Sequence, residues 1–127
     1  MKNQKLFAAL LTSLTVALAI SSAQAQTWAG KPVTVIVPFA AGGNTDGIAR
    51  MISQRLSDAF GQPFVVENKG GAGGALAADF VARAQPDGYT IFVTAVPVLA
   101  IVPKMTKVKY DPILHFAPIS NIASNPF

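Results

Sequence analysis

Two glycine-rich loops, each set between a β-branched run and a stretch of helical periodicity, constrain this chain more than any other feature. Val33-Thr-Val-Ile-Val37 stands between Pro32 and Pro38 and reads as a strand buried on both faces. A glycine-bearing loop, Pro38 to Asn44, follows it. Ile48, Ala49, Met51, Ile52, Leu56, Ala59 and Phe60 then recur as the apolar face of a helix, with Arg50, Ser53, Gln54, Ser57 and Asp58 opposite. Asn44 or Thr45 suits its N-cap, and Gly61 ahead of Pro63 suits its end. The unit then repeats. Phe64-Val-Val66 is a second strand, Glu67 to Gly73 a loop, and Gly74 to Ala84 a helix that buries Leu76, Ala77, Phe80, Val81 and Ala84. After the turn Pro86-Asp87-Gly88, Tyr89 to Thr94 forms a third strand. Strand, helix, strand, helix, strand with helix-length connections predicts an α/β fold with a parallel sheet and right-handed crossovers.

Beyond Thr94 the pattern thins. Val98 to Val102 predicts a short helix closed by Pro103, Lys104 to His115 a surface segment, and Phe116 to Ala123 a further apolar stretch. At the other end, Met1 to Ala25 reads as a secretory signal peptide. Lys2 and Lys5 supply the positive region and Leu6 to Ile20 the uncharged core. Ala23-Gln-Ala25 is a small-x-small cleavage site, which puts processing before Gln26. That core is shorter than the roughly 20 residues of a spanning helix, and no cysteine follows it to carry a lipid. Export with cleavage is the expectation.

Residues 26–127 would then be the working part. They carry eight Lys/Arg against six Asp/Glu, a net charge of +2, with no basic cluster interleaved with aromatics. Nucleic acid is therefore not an expected partner. The absence of cysteine leaves an exported chain to be held by packing alone.

In a parallel α/β sheet, ligands bind beyond the carboxyl ends of the strands. Both glycine loops fall there, Pro38 to Asp46 and Glu67 to Gly74, immediately ahead of helices. Unpaired amides and the positive end of the dipole point outward at such places, and glycine lets a ligand approach the backbone closely. Two such ends converging form an anion site without an arginine. Each loop also has a plainer reading, as a tight turn whose glycines serve backbone geometry. Asp46 suits the helix dipole as well as a ligand, and Asn44 and Thr45 suit a cap equally. Asn68 and Lys69 are candidates by position alone, and Arg50 reads as a surface ion-pair partner.

Gly70-Gly-Ala-Gly-Gly-Ala75 does not fit G-x-G-x-x-G, and neither loop carries the G-K-[ST] of a phosphate loop. No G-x-S-x-G elbow, cysteine nucleophile or metal-ligand spacing occurs, and the single histidine, His115, reads as a surface residue. Neither an enzyme, a cofactor nor a metal site is expected.

An ordered set of segments resembles the tripartite tricarboxylate transporter receptor family, the Bug proteins, which are periplasmic solute-binding proteins. It comprises Val37-Pro-Phe-Ala-Ala-Gly-Gly-Asn-Thr-Asp46 with Ala49-Arg50, Gly61-Gln-Pro-Phe-Val-Val-Glu-Asn68, Gly71-Ala-Gly-Gly74, Pro86-Asp-Gly-Tyr-Thr90, Tyr110-Asp-Pro112 and Phe116-Ala-Pro118. The resemblance implies a type II periplasmic-binding-protein-like fold, with residues 26–127 as the N-terminal part of lobe 1 and the second lobe absent. It implies capture of a small carboxylate by a monomer that serves membrane transporter subunits. Carried over by position, the ligand contacts are Phe39, Gly42, Gly43, Asn44, Thr45 and Asp46 from the first loop. Gly71, Ala72 and Gly73 come from the second, and Thr94 and Ala95 from the end of the third strand. Ala95-Val-Pro-Val98 departs from the family, which has small and hydroxyl residues there. Without the second lobe, a sheet edge and helix faces are expected to lie uncovered, with marginal stability and weak or no ligand binding. An exported α/β enzyme whose catalytic residues lie beyond Phe127, and a remnant without function, are the competing readings. The residues do not single out one carboxylate.

Overall fold

A computed structural model describes residues 30–124. The expected signal peptide and its cleavage site lie outside the described residues. Three strands, β1 (Val33–Val37), β2 (Phe64–Asn68) and β3 (Thr90–Phe92), form a sheet of order β2-β1-β3, and both pairings are parallel. Helix α1 (Asn44–Phe60) joins β1 to β2; a short 3-10 turn (Ala72–Gly74) and α2 (Ala75–Ala82) join β2 to β3. Two short helices follow, α3 (Val96–Ala100) and α4 (Val102–Met105). The expected order of elements is present.

β1 is central because its sequence tolerates burial on both faces. Val33, Val35 and Val37 alternate toward a core that also holds Ala49 of α1, Phe64 and Val93. Ile36, fully buried, points to the opposite face. On the second side of the molecule, Ala78 of α2 packs with Val98 and Tyr110. The Tyr110 hydroxyl donates to the Val98 carbonyl at 2.7 Å, which satisfies a polar group that burial would otherwise penalise. Phe116 lies edge-on to the Tyr110 ring, with centroids 5.9 Å apart. Tyr110 thus belongs to the core, inside a segment expected to lie on the surface.

Several details differ from the periodicity. Met51 and Phe60, expected on the inner face of α1, are exposed, whereas Ser53 is buried. The apolar residues spread over about half the circumference of this helix, and a single sheet face covers only part of it. In α2 the small residues Ala77 and Ala78 are buried, Ala78 against Val98 and Tyr110, and Leu76 and Phe80 are exposed. β2 extends to Asn68, taking Glu67 and Asn68 out of the expected loop, while β3 is shorter than expected. Pro103 sits in the first turn of α4 and does not close a helix, since an early proline costs no helical hydrogen bond. Gly61 ends α1 with φ 65° in the left-handed region, as expected. Val96, Met105, Ile113, Leu114 and Ile119 are all exposed, so the uncovered apolar surface gathers after β3.

Candidate functional site

Because all three strands run the same way, the loops that leave β1, β2 and β3 emerge at one end of the sheet. The ladder continues to that end: the Lys69 amide donates to the Val37 carbonyl at 2.8 Å, and the Val93 amide to the Ile36 carbonyl at 3.0 Å. Every candidate residue follows from this placement. Phe39, Gly42 and Gly43 lie in the loop after β1, and Asn44, Thr45 and Asp46 in the first turn of α1. Gly71, Ala72 and Gly73 lie after β2, Thr94 and Ala95 after β3. The three loops also touch. A Cβ on Gly74 would lie 2.8 Å from Val98 Cγ2 and 3.2 Å from Pro38 Cβ, so the backbone there is the seam between them.

Asn44 and Thr45 do not cap α1. The N-cap is Gly43, in extended conformation and without any side-chain cap. The first helical bond runs from the Gly47 amide to the Gly43 carbonyl at 2.9 Å. The amides of Asn44, Thr45 and Asp46 therefore have no acceptor within the helix, where the dipole favours an anion. Gly42, Gly43 and Asn44 are exposed.

Asp46 turns its carboxylate inward. Its Oδ2 accepts from the Gly42 amide at 2.8 Å and from Arg50 Nε at 2.9 Å, and its Oδ1 accepts from Asn68 Nδ2 at 2.9 Å. Only 2% of the residue is exposed. Asn68 Nδ2 also donates to the Phe39 carbonyl at 3.0 Å, and Asn68 Oδ1 accepts from Arg50 Nη2 at 3.2 Å. Arg50 foremost, then the Gly42 amide and Asn68, hold the Asp46 carboxyl well below the usual carboxylate range against the opposing effect of burial. The same pairing raises the Arg50 guanidinium above its ordinary value. Asp46 is thus committed to the interior, and the Gly42 amide is already engaged.

The second loop is shaped by backbone conformation. Gly71, Ala72, Gly73 and Gly74 have φ of 127°, 48°, 63° and 94°, and Ala72 is the one described non-glycine residue in this region. An L-residue held there costs about 1–2 kcal/mol. Gly71, Ala72 and Gly73 are exposed, and the Gly74 amide closes the turn onto the Gly71 carbonyl at 2.9 Å. Lys69 pairs with Glu67 at 2.6 Å and lies 4.4 Å from the Phe80 ring centroid, which commits its charge beside the loop. At the third loop, Ala95 is the extended N-cap of α3, and the Thr94 hydroxyl donates to the Ala95 carbonyl at 3.4 Å. His115 is exposed, with Nδ1 accepting from the Asp111 amide at 3.0 Å.

Asn68 is the residue that sequence reasoning undervalued. Its only signal was its position at the end of β2, whereas Arg50 forms an ion pair as expected, with Asp46 one turn earlier.

The model of the tripartite tricarboxylate transporter family receptor matches residues 48–127. The chain belongs to that receptor family. A UPF0065 protein of Bordetella bronchiseptica is 40% identical over 118 residues, covering 92% of this chain and 35% of the relative. MatC of Rhodopseudomonas palustris, solved with bound malate, is 44% identical with a TM-score of 0.68, over 72% of this chain and 32% of that one. A structure described as a periplasmic transporter is 55% identical with a TM-score of 0.63, over 66% of this chain and 29% of that one. The chain thus spans about a third of the length of the receptors it matches.

Proposed function

We propose that this receptor-family chain binds a small carboxylate at the junction of the three loops. It does so in the periplasm, on behalf of membrane transporter subunits. The observation that carries the proposal is the uncapped start of α1. The Asn44 and Thr45 amides, without helical acceptors, share one sheet end with the exposed turn of Gly71, Ala72 and Gly73. Such a group of donors suits a carboxylate, which accepts through two oxygens and gains from the helix dipole. Phe39 and the Thr94–Ala95 segment flank it. Asn44 and Thr45 add side-chain donors to the amides, and Gly43 leaves room for close approach. Malate bound to the similar MatC supports this ligand class. The family is one of receptors, and the reaction assigned to this site is capture and release, with no bond made or broken.

Calorimetric titration of the chain with malate tests the proposal, with inorganic phosphate as the control anion. Amide shifts should be followed in parallel by NMR. Saturable malate binding that moves the amides of Asn44, Thr45 and Gly71–Gly73 is the expected result. Binding equally well satisfied by phosphate, or shifts confined to other parts of the fold, would remove the carboxylate reading.

A further inference from the structure

We propose that Asp46 is a positioning residue, part of a latch with Arg50 and Asn68 that lets the end of β2 set the shape of the loop after β1. This deepens the carboxylate reading and rests on it.

The three side chains close a triangle. Asp46 accepts from Arg50 Nε and from Asn68 Nδ2, and Arg50 Nη2 in turn donates to Asn68 Oδ1. Each of the two remaining bonds reaches the loop backbone. Asp46 Oδ2 takes the Gly42 amide at 2.8 Å, and Asn68 Nδ2 reaches the Phe39 carbonyl at 3.0 Å. The loop is therefore held at two points, on either side of Ala40 and Ala41. Both carboxylate oxygens and both amide functions of Asn68 are engaged, so the group satisfies itself internally.

Two consequences follow for the site. Gly42 lies in the left-handed region, φ 84°, and the Asp46 bond holds its amide one residue ahead of the N-cap Gly43. Fixing that peptide fixes the entry into the turn, and with it the direction of the Asn44 and Thr45 amides. The buried negative charge sits directly behind amides that are to receive a carboxylate, and would oppose binding if left alone. Arg50 offsets it, so the latch organises the loop without repelling the ligand. Charge-assisted bonds of this kind are short and directional, which suits a positioning role.

NMR of the chain and of its D46A, N68A, R50A and R50K variants tests the latch. In the parent, the Gly42 amide should exchange at least about tenfold more slowly than a free glycine amide. D46A should abolish that protection while leaving the amides around Val98 and Tyr110 protected. Malate binding to D46A should weaken by roughly ten- to a hundredfold, the scale of one lost charge-assisted hydrogen bond. R50K restores the counter-charge without the paired Nε and Nη2 donors, so it should recover part of what R50A loses. A Gly42 amide that exchanges freely in the parent overturns the latch, whatever malate does and whether or not the variants fold. D46A binding malate like the parent overturns it as well. A parent chain that protects Gly42 yet leaves malate unbound supports the latch geometry and places the failure in the carboxylate reading.

Discussion

Gly74→Ala is the substitution that most directly probes the seam of the three loops. The residue has φ 94° and ψ −5°, a conformation an L-residue enters at a cost of about 1–2 kcal/mol. The new Cβ would also lie 2.8 Å from Val98 Cγ2 and 3.0 Å from Val98 Cγ1. Val98 is 1% exposed and cannot swing into solvent, and Pro38 closes the other side. Forcing a methyl into a filled site costs about 1–3 kcal/mol more, so the sum is about 2–5 kcal/mol. Urea unfolding followed by far-UV circular dichroism reads that loss. The two contributions separate in a double-mutant cycle with Val98→Ala. V98A alone removes two buried methyl groups, about 1.6 kcal/mol at the usual rate for each. In the G74A background it also frees space, so the pair should be less damaging than the sum by roughly the overpacking cost. The backbone cost should persist. A G74A chain within about 0.5 kcal/mol of the parent, or strictly additive costs, would refute the contact reasoning.

Two further outcomes are expected. Tyr110→Phe keeps the ring against Phe116 but leaves the Val98 carbonyl without its hydroxyl donor; a loss of about 1 kcal/mol in the same urea assay is expected, and an unchanged midpoint would count against the buried bond. Asp46, Asp87 and Asp111 all have folded-state pKa values below their ordinary ones, Asp46 most of all. Their stabilisation is therefore complete above the unfolded carboxylate value near ~3.9 and fades as pH falls below it. Acid titration by circular dichroism should show this fall, and Asp46→Asn should flatten it; matching acid profiles for the two chains would contradict the Asp46 network.

The architecture was legible because burial leaves a strong signature in a parallel sheet. Val33–Val37 has no polar alternation and stands between prolines, so burial on both faces was expected of it. Gly61 marked the end of α1 for an equally local reason, since its left-handed φ favours glycine. Helix faces were less legible. Met51, Phe60, Leu76 and Phe80 fitted a helical stripe yet remain exposed, and Ser53 and Ala78 took the inner positions. Hydropathy ranks residues by transfer energy, whereas a helix lying close on a sheet selects for small size at the contact. Tyr110 was missed for a related reason: the apolar residues around it follow no helical or strand period that would announce it.

Local chemistry by itself determined the order of elements, the parallel sheet and the end of that sheet where the glycines collect. These depend on hydropathy, glycine and proline, whose effects act within a few residues. Only the tertiary structure decided what the loop residues do. It engaged the Gly42 amide and turned Asp46 inward. It also brought Asn68 to Asp46 across 22 positions of sequence. A carboxylate in a first helical turn can cap, pair or contact a ligand at similar local cost. Which of these it does depends on the donors that a neighbouring strand brings within 3 Å, and that pairing is a property of the packed sheet.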